Sequence, residues 1–128
     1  MAEEKQKTVC LVEDDPSIQE TYGIKLKQRG YKVLSASDGA RGFEIISQEK
    51  PDLALVDINM PVMSGLEMLE KLSHDAELAK IPVIILTNYD TQDVVGKVSK
   101  FPTHFYLVKA FYTPQKVADV VDEVLCRR

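Results

Sequence analysis

Short apolar runs alternate along this chain with stretches of helical periodicity. Nearly continuous apolar runs predict buried strands at Thr8–Val12, Leu53–Val56, Ile81–Leu86 and Phe105–Val108, and Tyr31–Ala36 is predicted as a further strand. Between them, apolar residues recur every three or four positions, which is typical of amphipathic helices. Strands that are apolar throughout are covered on both faces. The pattern therefore predicts an α/β fold, a doubly wound parallel sheet with helices on both sides.

Capping signals place the ends of two helices. Asp15-Pro16 supplies an N-cap and a first-turn proline, so a helix is expected from there to Arg29, where Gly30 stops it. Thr113-Pro114 opens the last helix. The apolar residues of that helix follow the i, i+3, i+4, i+7 pattern: Val117, Val120, Val121, Val124 and Leu125.

The other three helices are predicted from apolar spacing alone. Their apolar faces are marked by Ala40, Phe43 and Ile46, by Leu66, Leu69 and Leu72, and by Val94, Val95 and Val98. Neither a linker, a repeat nor a low-complexity stretch interrupts the alternation. We therefore expect residues 1–128 to form a single domain.

The amino-acid composition and the net charge argue against several classes of function. The chain has 128 residues, of which 45% are hydrophobic and 28% charged, as in ordinary folded domains. A net charge of −4 argues against a nucleic-acid surface. No apolar run approaches the roughly 20 residues of a membrane span, and the N-terminus lacks the apolar stretch of a signal peptide. Cys10 and Cys126 are read as separate thiols. We expect a cytoplasmic domain that binds neither nucleic acid nor membrane.

Polar residues follow four of the predicted strands directly. The four segments are Val12-Glu13-Asp14, Val56-Asp57, Leu86-Thr87 and Val108-Lys109. Open α/β sheets bind ligands at the carboxyl ends of their strands. Three carboxylates held together there repel one another unless a cation lies among them, and Mg²⁺ is a hard, oxygen-seeking cation. The set predicts a phosphoryl-transfer site with a carboxylate nucleophile, where Lys109 and Thr87 hold the incoming phosphoryl group.

Several segments of the chain resemble those of a known family. Leu11–Pro16, Asp57–Gly65, Thr87 and Lys109 are similar to the receiver domain of bacterial two-component response regulators. The resemblance extends from residue 8 to residue 125, and its most specific part is the Asp-x-Asn-Met-Pro-x-Met-x-Gly stretch. It implies a flavodoxin-like (βα)5 fold with a five-stranded sheet in the order 2-1-3-4-5. In that order strands 1 and 3 are neighbours, so the acidic residues that follow them would converge.

The resemblance also implies a role for each acidic residue. Asp57 would be the phospho-acceptor and attack the phosphohistidine of a sensor histidine kinase or phosphotransfer protein. Mg²⁺ or Mn²⁺ would be held by Asp14 and Asp57, by Glu13 directly or through water, and by the backbone carbonyl of Asn59. Asp15 is assigned instead to the helix N-cap.

The remaining roles concern the phosphoryl group and the response to it. Lys109 would neutralise a phosphoryl oxygen, and Thr87 would donate a hydrogen bond to it. Thr87 and Tyr106 would then form the switch. They would bias a pre-existing conformational equilibrium of the face formed by predicted helix 4, strand 5 and helix 5. That face would contact an unknown output partner, with the domain a monomer or a weak dimer through it. We expect no enzyme activity other than the domain's own phosphorylation and dephosphorylation.

The chain departs from the family pattern at two places. Ala110 follows Lys109 where the family has proline, and residues 100–104 replace a small Gly-Ala turn. A cis bond costs about 2.5–4 kcal/mol before a non-proline residue, so we expect the Lys109–Ala110 bond to be trans. Both departures lie on the predicted output face, so they bear on switching more than on phosphorylation.

The same residues disfavour two other functions and leave a third open. An FMN-binding flavodoxin is disfavoured because the acidic first loop would repel a phosphate. A phosphatase of the haloacid dehalogenase type needs a second aspartate at the position of Asn59. A receiver-like module that binds partners without phosphorylation stays open as the alternative.

Overall fold

The computed structural model describes residues 6–57, 65–87, 105–108 and 112–125, with the backbone alone at residues 65, 66, 87, 105, 106 and 108. Its strands are β1 (Thr8–Val12), β2 (Lys32–Ala36), β3 (Leu53–Asp57), β4 (Val83–Thr87) and β5 (Phe105–Val108). Its helices are α1 (Pro16–Gln28), α2 (Gly39–Glu49), α3 (Gly65–Ser73) and α4 (Pro114–Val124), with a 3-10 turn at Leu78–Lys80. In the described part of the chain, no helix could cross a membrane.

The described strands form one parallel sheet in the order β2-β1-β3-β4-β5. From β1 the chain winds first to β2 on one side and then, through β3, to the other side. The carboxyl ends of β1 and β3 therefore flank the switch point, where such sheets bind ligands. The predicted flavodoxin-like parallel architecture is confirmed. The predicted helix around Val94–Val98 lies outside the described residues, and α4 is the helix predicted as the fifth.

Two hydrophobic clusters cover the two faces of the sheet. One face packs against α2 and α3 through residues that include Cys10, Val12, Ile46, Met68 and Leu72. The other packs against α1 and α4 through residues that include Leu11, Leu26, Leu55, Ile84 and Val121. Because consecutive residues of β1 alternate between these clusters, both faces of the strand are buried, which explains its unbroken apolar run. Within it, burial raises the pKa of the fully buried Cys10 thiol to about 12.

Two strands begin later than predicted. The Tyr31 N–H donates to the Leu26 carbonyl at 3.2 Å, so Tyr31 completes the end of α1 and β2 begins at Lys32. Gly30, at φ +93°, makes the turn between them. Before β4, the Ile81 N–H donates to the Leu78 carbonyl at 3.1 Å, which places Ile81 after the 3-10 turn. In both cases a local turn captures an N–H group that the strand prediction had assigned to the sheet.

The buried face of α2 differs from the prediction. Ala40 is exposed, whereas Gly39, Gly42 and Ile46 are buried. A Cβ atom at Gly42 would lie 2.9 Å from a Val12 methyl carbon and 3.0 Å from the Met68 sulfur. The helix therefore rests on β1 and α3 at Gly42. The prediction for Ala40 was wrong because glycine carries no hydropathy signal that could mark this face.

We expect Gly42→Ala to destabilise the domain by about 1–3 kcal/mol, because the added methyl overpacks a site where Val12 is rigid. Gly23→Ala in α1 is the matched control, since a Cβ there meets nothing within 4 Å. Removing that helical glycine should stabilise the domain by roughly 0.5–1 kcal/mol. Urea denaturation of both variants measures the two free energies. Equal stability of Gly42→Ala and wild type would contradict the packing argument.

An ionic cluster joins α1 to α4. The Arg29 guanidinium lies 2.8 Å from the Asp119 carboxylate and 2.6 Å from that of Asp122, and the Tyr31 hydroxyl donates to Asp122. Hydrogen bonds to both aspartates raise the pKa of Arg29. Together with the buried contacts of the α1–α4 face, the cluster fixes the C-terminal end of α1.

Candidate functional site

Three carboxylates converge at the carboxyl ends of two neighbouring interior strands, β1 and β3. Glu13 and Asp14 directly follow β1, and Asp57 is the last residue of β3. Val12 pairs with Val56, so the two strand ends lie side by side. One carboxylate oxygen from each acidic residue lies within 4.8 Å of the other two. The predicted convergence of these residues is therefore confirmed.

The three side chains differ in exposure. Glu13 is 1% exposed and Asp57 3%, whereas Asp14 is open to solvent. Two carboxylates thus form the inner part of the site and one stands at its mouth. Mg²⁺ prefers such an arrangement, because it binds through a small number of carboxylates and retains several waters. The all-oxygen donor set fits that cation, and the mutual repulsion of the carboxylates favours its binding.

The fourth acidic residue near this site serves the helix. The Asp15 carboxylate accepts hydrogen bonds from the Ser17 and Ile18 N–H groups at 2.8 and 3.2 Å. It therefore caps α1, as predicted, and satisfies two of the donors that a helix leaves unpaired at its start. The Asp15 N–H in turn donates to the Glu13 carboxylate at 3.3 Å. The cap and the site are thus built from one short loop.

Gln19 contacts the same loop, and sequence reasoning missed it. Its Nε2 donates to the Glu13 carbonyl at 3.0 Å and to the Ala36 carbonyl at 3.3 Å. The signal that could have indicated it is its spacing, because Gln19 lies four residues after the N-cap Asp15 and so returns to the same side of the helix. Nothing local indicated Ala36, which lies at the end of β2.

Of the other predicted site residues, two have a described backbone and two lie outside the described residues. Thr87 ends β4 and pairs with Val108, one position beyond the level at which Asp57 pairs with Leu86. Its backbone thus lies at the same edge of the sheet as the carboxylates. The backbone of Tyr106 pairs with Ile85 in β5. Asn59, Lys109 and the Lys109–Ala110 bond lie outside the described residues, and the statements about them stay predictions.

Comparison with known proteins places this fold and site in a family. The response regulator receiver domain family matches residues 9–122. Protein PilH of Pseudomonas aeruginosa is 40% identical over 91 residues, covering 70% of this chain and 75% of PilH. The phosphate regulon transcriptional regulatory protein PhoB of the same organism is 31% identical over 112 residues, covering 88% of this chain.

Comparison with solved structures indicates the same family. A CheY-like response regulator receiver domain protein from Methanospirillum hungatei superposes with a TM-score of 0.87 at 28% identity, covering 96% of each chain. The matched region is 49% of PhoB and 46% of the transcriptional regulator RpaA of Synechocystis, so the chain spans about half the length of these relatives. With its predicted fold and acidic site in place, the chain belongs to the response regulator receiver domain family of two-component phosphorelay signalling.

Proposed function

We propose that this domain accepts a phosphoryl group on Asp57 from the phosphohistidine of a sensor histidine kinase or phosphotransfer protein, in a reaction that requires Mg²⁺. One observation carries the proposal. In a receiver-family chain, the Glu13, Asp14 and Asp57 carboxylates lie within 4.8 Å of one another at the switch point of the sheet. Glu13 and Asp14, with Asp57 and the backbone carbonyl of Asn59, would hold the cation, for which Mn²⁺ can substitute.

Phosphoryl transfer requires the protein mainly to position the reacting groups and to neutralise their charge. A carboxylate oxygen of Asp57 forms a bond to phosphorus while the phosphorus–nitrogen bond breaks, and the imidazole nitrogen keeps the electron pair. Asp57 lies at the end of a rigid central strand, which restricts the directions from which a donor can approach in line. When bound, Mg²⁺ would neutralise charge on the phosphoryl oxygens. Lys109 and Thr87 would contact the same oxygens.

Phosphorylation then acts on the output side of the sheet. We propose that Thr87 and Tyr106 form the switch, and that a fifth helix between β4 and β5 completes the (βα)5 fold. That helix, β5 and α4 form the face that contacts the output partner or a second copy of the domain. The domain catalyses only its own phosphorylation and dephosphorylation, in the cytoplasm, and binds neither nucleic acid nor membrane. Residues 1–128 act as one domain.

Incubation of the wild-type domain with acetyl phosphate tests this function. With Mg²⁺ present, intact-mass analysis should show the addition of a single phosphoryl group, and excess EDTA should prevent it. A domain that folds and binds Mg²⁺ but takes up no phosphoryl group would favour the alternative, an interaction module that works without phosphorylation. Equal labelling with and without EDTA would contradict the metal requirement.

A further inference from the structure

We propose that Gln19 is a positioning residue for the metal site. Its carboxamide holds the backbone of Glu13, so that the Glu13 and Asp14 side chains are directed toward Asp57 before a cation arrives. This inference rests on the proposed function, because it assigns Gln19 a part in the Mg²⁺ binding on which phosphorylation depends.

The hydrogen bonds of Gln19 connect three elements. Its Nε2 carries two hydrogens, and donation to the Glu13 and Ala36 carbonyls uses both. The Ala36 carbonyl also accepts the Glu13 N–H at 3.0 Å. Residue 13 is therefore held at its N–H by β2 and at its carbonyl by α1. Because Gln19 is only half-buried, its own place depends on the helix that carries it, which Asp15 caps at one end and Arg29 ties to α4 at the other.

These restraints act on the metal ligands through the backbone. The N–H and the carbonyl of Glu13 belong to the two peptide planes that flank its Cα atom, so holding both sets the direction of its Cα–Cβ bond. The carbonyl belongs to the peptide bond that leads to Asp14. Without a cation, the like-charged side chains repel one another, and a loose loop would relax by separating them. The Gln19 amide opposes that relaxation and keeps the ligand geometry preorganised.

Gln19→Met tests the assignment. The methionine side chain has a similar length and is compatible with the helix, but it has no N–H group to donate. We expect the Mg²⁺ dissociation constant, measured by isothermal titration calorimetry, to rise about tenfold, as is typical when a support of a metal ligand is lost. Gln28→Met is the matched control. It makes the same change in the same helix at an exposed position away from the acidic loop, and should leave the Mg²⁺ affinity unchanged.

A second variant keeps the test independent of folding problems. Gln19→Asn retains the amide, but its chain is one methylene shorter, so the amide reaches neither carbonyl and Mg²⁺ affinity should fall as in Gln19→Met. Wild-type Mg²⁺ affinity in either folded variant, even with a lower melting temperature, would show that Gln19 serves stability alone and would overturn the inference. Absence of Mg²⁺ binding by the wild type would overturn the proposed function itself and this inference with it.

Discussion

Asp57→Asn is expected to eliminate labelling of the domain by acetyl phosphate in the presence of Mg²⁺. The amide oxygen of asparagine carries no charge and is a poor nucleophile, so no aspartyl phosphate can form at the end of β3. The substitution is nearly isosteric in a side chain that is 3% exposed, and the fold should persist. Intact-mass analysis of the wild type and the variant under the same conditions measures the loss.

The control for this experiment lies in the same acidic loop. Asp15→Asn makes the same chemical change, and asparagine caps helices as well as aspartate, so α1 should keep its N-terminus and the labelling should persist. The pair separates the loss of a nucleophile from the loss of a negative charge near the site. If Asp57→Asn is labelled to the wild-type extent, another residue is the acceptor and the assignment is wrong.

The second large effect concerns the metal. Mg²⁺ should raise the melting temperature of the wild type because it binds the folded state, where the three carboxylates meet, and not the unfolded chain. At a concentration one hundred times the dissociation constant, linkage gives about 2.7 kcal/mol of stabilisation. Asp14→Ala removes the ligand at the mouth of the site, so the increment should vanish. The metal-free variant should be at least as stable as wild type, because one repulsive charge is gone.

Asp15→Ala provides the contrast in this case. Its lost N-cap should cost about 1 kcal/mol both with and without Mg²⁺, while the Mg²⁺-dependent increment is retained. Differential scanning calorimetry of the wild type and both variants, each with Mg²⁺ and with EDTA, gives the increments directly. An Asp14→Ala variant that gains as much from Mg²⁺ as wild type would exclude Asp14 from the ligand set.

Most of the fold could be predicted because its determinants are local. The apolar runs of β1 and β3 report burial on two faces, and Asp15-Pro16 is a capping signal contained in two residues. The convergence of Glu13 and Asp57 followed from the strand order that the family resemblance implied, and the described sheet has that order.

The features that were not predicted depend on contacts that the local sequence pattern does not indicate. The bond from Gln19 to the Ala36 carbonyl joins residues 17 positions apart, and a half-exposed glutamine early in a helix has no unusual sequence context. The buried face of α2 was misplaced because Gly42 fits against Val12 by having no side chain. The starts of β2 and β4 depended on which turn captures a backbone N–H, which hydrophobic periodicity does not encode.

The burial of Cys10 has a consequence for redox chemistry. The thiolate is the species that reacts with oxidants and alkylating agents, and a thiol with a pKa of about 12 is almost wholly protonated at neutral pH. Because Cys10 lies in the middle of β1, an interior strand covered on both faces, reagents reach it only when the sheet opens. Its alkylation rate, followed by peptide mapping under native conditions, should therefore report global opening of the domain. Oxidising conditions that leave the fold intact should leave this sulfur, and the strand that carries the acidic loop, unmodified.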